Sequence, residues 1–159
     1  MHMTAAGTRP AAAGYRERLS PSLWALVGAA VGGPMIALVF VPIDATLALV
    51  IGAVAGIALV AGMILMAPVV AVHGGELRVG RAHIDVADLG DPVGATGEDA
   101  RQARGPGLSR DAWHLLRGGV DGVVRVPVRD AEDPVTEWVF STRTPDRVIA
   151  AIRRAQSVR

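Results

Sequence analysis

Hydrophobic and polar positions divide this chain into two regions with different periods. Between Leu23 and Ala67 stand two apolar runs, LWALVGAAVGGPMIALVFV and LALVIGAVAGIALVAGMILMA, separated by PIDAT. Each run holds about 20 residues, enough for a helix rising ~1.5 Å per residue to cross a hydrocarbon core of ~30 Å. Asp44, in the connection, is the only ionisable residue in the stretch. The pattern predicts a membrane helical hairpin over residues 21–67. Ser20 and Pro21 read as its N-cap and first helical position, and Trp24 falls at the depth of an interfacial aromatic anchor. The short link makes the two helices antiparallel neighbours.

From Pro68 onward the period shortens to two. Val69 to His73 and Glu76 to Val79 flank Gly74-Gly75, a pair suited to a tight hairpin turn with positive φ. Arg81 to Val86 alternates, with Ala82, Ile84 and Val86 on one face. Further strands are expected over Leu89–Ala95, Ala112–Leu116, Val120–Val128 and Val135–Ser141, the last with Trp138 and Phe140 on one face. Thr96–Arg110 is a polar loop with room for one helical turn near Asp99–Arg104. A closing helix follows: Thr144 is placed to cap it, Pro145 to begin it and Asp146 to favour its positive end. Its apolar stripe is Val148, Ala151, Ile152 and Ala155. The fold class is therefore a membrane helical hairpin plus an α+β, mainly-β domain over 68–159. In that domain six or seven strands form a bent sheet or small barrel, closed by the C-terminal amphipathic helix.

Residues 1–20 form the remaining segment. The Ala, Gly, Thr and Pro content of its first part carries no periodicity and predicts a disordered tail. Arg9, Arg16 and Arg18 precede the first span, Arg78 and Arg81 follow the second, and the link between them has no Arg. The positive-inside rule then puts both termini in the cytoplasm, in a multi-pass protein of the inner (plasma) membrane. The first run is longer than a signal-peptide core and is followed at once by a second, which argues against cleavage.

Composition narrows the chemistry. All 16 basic residues are Arg against 15 acidic ones, and the net charge of +1 gives no reason to expect nucleic acid. Absence of Cys excludes disulfides, thiolate metal sites and Cys nucleophiles. The spans hold no charged residue, which speaks against a pump, transporter or polar-lined channel. There is no HExxH, no GxSxG around Ser109 or Ser141, and no GK[ST] after Gly105-Pro106-Gly107. No catalytic residue, metal site or cofactor is expected.

Three groups of residues remain as candidates. Gly28 and Gly32 in the first span, with Gly52 and Gly56 in the second, have the four-residue spacing that allows close helix packing, within the hairpin or between copies. Arg78, Arg81 and Arg143 are candidates for contact with the membrane surface or another anion. For Arg143, between the last strand and the closing helix, a structural role on carbonyl groups or on Asp146 is the competing reading. His83 and Asp85 share a strand face that two metal ligands could use, the basis of an alternative reading as a membrane-associated enzyme. His73, at the exit from the membrane, reads as interfacial.

Taken together, the hairpin, GELRVGRAHIDVADLG, WHLLRGGVDGVVRVPVRDAEDP and EWVFSTRTPDRVIAAI resemble a family of small actinobacterial membrane proteins of unknown function. The resemblance covers Tyr15 to Ile152, with Trp138 and the STRTP stretch its most specific words. The soluble part is similar in layout to bacterial pleckstrin-homology-like domains. The resemblance supports the architecture and adds little about activity. With the hairpin as a tether, the leading expectation is a non-enzymatic module held at the cytoplasmic face of the membrane, binding a protein or lipid headgroups. Its partners would be the bilayer, a membrane protein or a second copy, and anionic lipid headgroups, with an accessory role in a membrane complex.

Overall fold

The structure, a computed structural model, describes residues 14–158. The chain begins with β1 (Tyr15–Arg18), then runs through α1 (Leu23–Phe40) and α2 (Ala45–Leu65) before β2 (Val69–His73). β1 pairs antiparallel with β2, Tyr15 opposite Val72 and Arg18 opposite Val69. The helical hairpin is thus an insertion between two adjacent strands of one sheet, and both its ends leave the body at one place. This corrects the expected tail: from Tyr15 onward the segment belongs to the folded domain, while residues 1–13 lie outside the described residues.

Both hairpin helices start on side-chain caps. Ser22 Oγ accepts the Ala25 N–H at 3.3 Å, so the cap is Ser22 and not Ser20. Asp44 Oδ1 accepts the Leu47 N–H at 2.7 Å, which starts α2 at Ala45, inside the expected link. Gly33 and Ala37 of α1 pack against Ala48 and Gly52 of α2, and these are the buried residues of the two helices. Pro34 lies in the same stretch and cannot donate to the Ala30 carbonyl.

After β2 come β3 (Glu76–Val79) and β4 (Ala82–Asp85), completing an antiparallel sheet of order β1-β2-β3-β4. Gly74 and Gly75, at φ +62 and +85, make the turn that their sequence foretold. A short 3-10 turn (Val86–Asp88) leads to β5 (Val93–Ala95), α3 (Gly97–Arg104), β6 (Ala112–Leu115), β7 (Val123–Pro127), β8 (Glu137–Ser141) and α4 (Pro145–Ser157). The second sheet has order β5-β7-β8-β6, with β6 parallel to β8. Among the described residues there are therefore eight strands in two open sheets and no closed barrel.

The two sheets and α4 share one core. Val70, Val72, Leu77 and Val79 face Val124, Val126, Trp138 and Phe140, with Val148 and Ile152 of α4 closing it. Leu19, directly after β1, is fully buried there. The second sheet is covered on both faces: Val123 and Val139 turn the other way, under Ala100 and Ala103 of α3. That explains why β7 carries valines at consecutive positions.

Candidate functional site at the base of the hairpin

The hairpin joins the body where the ends of β1, β2 and β8 meet the start of α4, and polar side chains concentrate there. Tyr15 and Glu17, two apart on β1, point to the side of the sheet facing the STRTP stretch. The Glu17 carboxylate accepts three donors: the Tyr15 hydroxyl at 2.7 Å, the Thr142 hydroxyl, and the Arg143 backbone N–H at 2.8 Å. With its proton on Glu17, the Tyr15 oxygen is left to accept from the Thr144 hydroxyl at 2.7 Å. Thr142 Oγ1 in turn accepts the Thr144 N–H at 3.2 Å. Ser141 and Thr142 are fully buried, and Ser141 Oγ accepts the Arg117 N–H at 2.9 Å. Burial raises the Tyr15 phenol above its ordinary pKa, and the Glu17 charge acts in the same direction, against the bonds from Thr142 and Thr144.

Two guanidinium groups tie the helices to this clasp. Arg143 donates to the Ser20 carbonyl at 2.9 Å and the Arg18 carbonyl at 3.4 Å, in the link between β1 and α1. Arg18 donates to the Ile64 and Leu65 carbonyls at 2.8 and 3.2 Å, at the C-terminal end of α2. A cation there also complements the negative end of the helix dipole. Three of the five residues of STRTP, Thr142, Arg143 and Thr144, thus serve the attachment of β1. Thr144 occupies the cap position of α4 but spends its hydroxyl on Tyr15 and makes no cap bond.

The residues expected to be functional are dispersed. Gly52 and Gly56 do lie on the helix contact: a Cβ on Gly33 would stand 2.6 Å from the Gly52 oxygen and 2.9 Å from the Gly56 Cα. Their partner is Gly33 and not Gly32, which meets only a Leu59 methyl, while Gly28 faces open space. Arg78, on β3, sits opposite His83 and is bonded to Glu76 at 3.4 Å. Arg81 is exposed at the turn after Gly80. Arg143 works as a structural donor on carbonyls. His83 is exposed, whereas Asp85 Oδ1 caps the 3-10 turn through the Ala87 N–H at 2.8 Å. Among the described residues no group of three His, Asp or Glu side chains is placed to hold a metal. His73 is at the end of β2 away from the hairpin and not at its junction with the helices.

Sequence reasoning missed Tyr15, Glu17 and Arg18. The one available signal was the i, i+2 spacing of Tyr15 and Glu17, which puts both on one strand face. Elsewhere on the body, Arg153 holds Asp91 in a two-pronged bond at 2.9 and 3.0 Å and keeps its carboxyl below the usual range.

Residues 14–152 match the family described as Protein of unknown function (DUF3093). No curated protein and no solved structure matches the chain.

Proposed function

The chain belongs to the DUF3093 family of proteins of unknown function, and from that premise we propose that it is a non-enzymatic membrane-anchored binding module. One observation carries the reading: apart from the small residues at the contact between the two helices, most large apolar side chains of the hairpin stand exposed among the described residues. Leu38, Leu49 and Ile57 are 69%, 71% and 70% exposed. Helices that served as a soluble core would hide such residues; lipid solvates them without cost. The caps on Ser22 and Asp44 and the Arg18 bonds satisfy backbone groups at the helix ends, as a span requires.

The β1–β2 pairing holds both flanks of the hairpin together, which supports their lying on one side of the bilayer. The arginines at the flanks, and their absence from residues 41–44, favour the cytoplasmic side for the body. Two sheets closed by a C-terminal helix support a pleckstrin-homology-like module, although β6 joins its sheet in parallel. Held there, the body binds a membrane protein or lipid headgroups, and tethering raises the local concentration for a weak contact. An accessory place in a membrane complex suits this role.

The chain has no Cys, so single-cysteine reporters are clean. With Ile43→Cys, a membrane-impermeant maleimide labels intact cells; with Glu132→Cys, it labels only after lysis. Extraction of the protein by alkaline carbonate, or labelling of both sites in intact cells, defeats the reading.

A further inference from the structure

We propose that the base of the hairpin is a binding site for the phosphate of anionic phospholipids, built by Arg18, Arg81, Arg117 and Arg143. This rests on the membrane reading above and names the ligand that the anchored body meets first.

The fold brings these four to one level. Arg18 and Arg143 bond the chain on either side of the hairpin, at Ile64 and Ser20. The turn carrying Arg81 packs at the re-entry point: a Cβ on Gly80 would lie 3.6 Å from Pro68 Cβ. The loop after Arg117 packs at the exit point, since a Cβ on Gly119 would lie 2.9 Å from Ser22 Cβ. Immediately beyond this level Trp24 and Leu23 stand 84% and 75% exposed, where hydrocarbon would begin.

Among the described residues these four charges, like those of several other arginines, lack carboxylate partners. Arg78, Arg101, Arg125 and Arg153 pair with carboxylates, whereas among the described residues none of the four at the base does. Arg18 and Arg143 meet only neutral carbonyl oxygens. Arg117 Nε is buried with no acceptor among the described residues. An uncompensated guanidinium beside a low-dielectric layer is costly. A lipid phosphate removes that cost, and its oxygens match the guanidinium fork. The exposed Asp121, on the loop after Gly119, would exclude a purely anionic surface packed flat against it, but it leaves room for single headgroups between the arginines.

The full chain in mild detergent is titrated with phosphatidylglycerol and with phosphatidylcholine, and bound lipid is counted by native mass spectrometry. Phosphatidylglycerol is retained preferentially. Arg81→Gln and Arg117→Gln each weaken that preference about fivefold, and Arg117→Lys by less. Arg129→Gln, at the far end of the body, leaves it unchanged. Arg81 is exposed on a turn, so its variant keeps the test decisive even where Arg117→Gln fails to fold. Equal retention of the two lipids, or a preference untouched by Arg81→Gln, overturns the proposal. A chain that stays in carbonate-washed membranes yet ignores lipid charge refutes this site alone; a chain that is washed out refutes the anchor itself.

Discussion

The Glu17 carboxylate accepts the backbone N–H of Arg143 at 2.8 Å across a sequence separation of 126 residues. The same carboxylate satisfies the buried hydroxyl of Thr142. Truncation to alanine leaves that buried hydroxyl without its acceptor and hands the exposed Arg143 N–H to water. Glu17→Ala is expected to destabilise the body by about 1–3 kcal/mol, the cost of stranded polar groups. Glu17→Gln loses less, because it keeps one carbonyl oxygen. Thermal unfolding in detergent, followed through the near-UV signal of the Trp113–Trp138 pair, measures both; their ring centroids are 4.3 Å apart. An alanine variant as stable as the parent would mean that the clasp is not formed.

Tyr15 gives the clasp a pH dependence of known sign. Burial raises its pKa above the ordinary value of 10.0. In the unfolded chain the phenol therefore ionises first, and the unfolded state is favoured as pH rises. The contribution is complete below pH 10.0 and is lost as pH climbs from there through the folded pKa. Stability of the full chain should fall on that alkaline limb, and Tyr15→Phe should flatten it. Denaturant midpoints measured across the limb decide the matter; parallel curves for the two proteins would contradict it.

What could be read beforehand follows from where the energy lies. The seven strands between Val69 and Ser141 and the stripe of α4 are held by apolar burial, which leaves periodicity in the sequence, and the hairpin declares itself by two long uncharged apolar runs. β1 is held otherwise. Its four residues, YRER, include three charged ones, and the inward-facing Glu17 is stabilised by hydrogen bonds to residues far along the chain. No local pattern reports such bonds. The strand's partner also lies beyond the whole hairpin, so no turn signal joins them. The parallel placement of β6 is non-local in the same way. For the helix contact, small residues announced close packing, but Gly32 and Gly33 differ by only ~100° around the helix, and composition could not choose between them.

That choice can be tested directly. A Cβ on Gly52 would fall 2.6 Å from Ala37 Cβ and 2.9 Å from the Gly33 oxygen. Two helix backbones would have to separate, so Gly52→Ala and Gly33→Ala should each cost about 1–3 kcal/mol of hairpin stability. Gly28→Ala meets nothing within 4 Å and should stay within about 0.5 kcal/mol of the parent. Helicity followed as the mole fraction of dodecyl sulfate rises in mixed micelles provides the comparison. Equal effects at Gly28 and Gly52 would point to a contact between copies rather than within the hairpin.

Because the hairpin interrupts a β1–β2 pair, it should be removable. The Leu19 N–H donates to the Pro68 carbonyl at 2.9 Å, so these two residues already stand opposite one another. Joining them through Asn-Gly in place of residues 20–67 creates a two-residue β-hairpin connection of the kind such strands favour. Leu19 stays in the core, and Glu17 keeps Thr142 and Arg143. The lost interactions are those of Arg18 with α2 and of Arg143 with Ser20. The shortened chain should be water-soluble, with the Trp113–Trp138 signal intact, and should no longer sediment with membranes. Dispersed amide resonances and a cooperative unfolding transition would verify the body. An aggregated or unfolded product would show that the body depends on the helices, and the description of the hairpin as an insertion into a self-sufficient sheet would then fail.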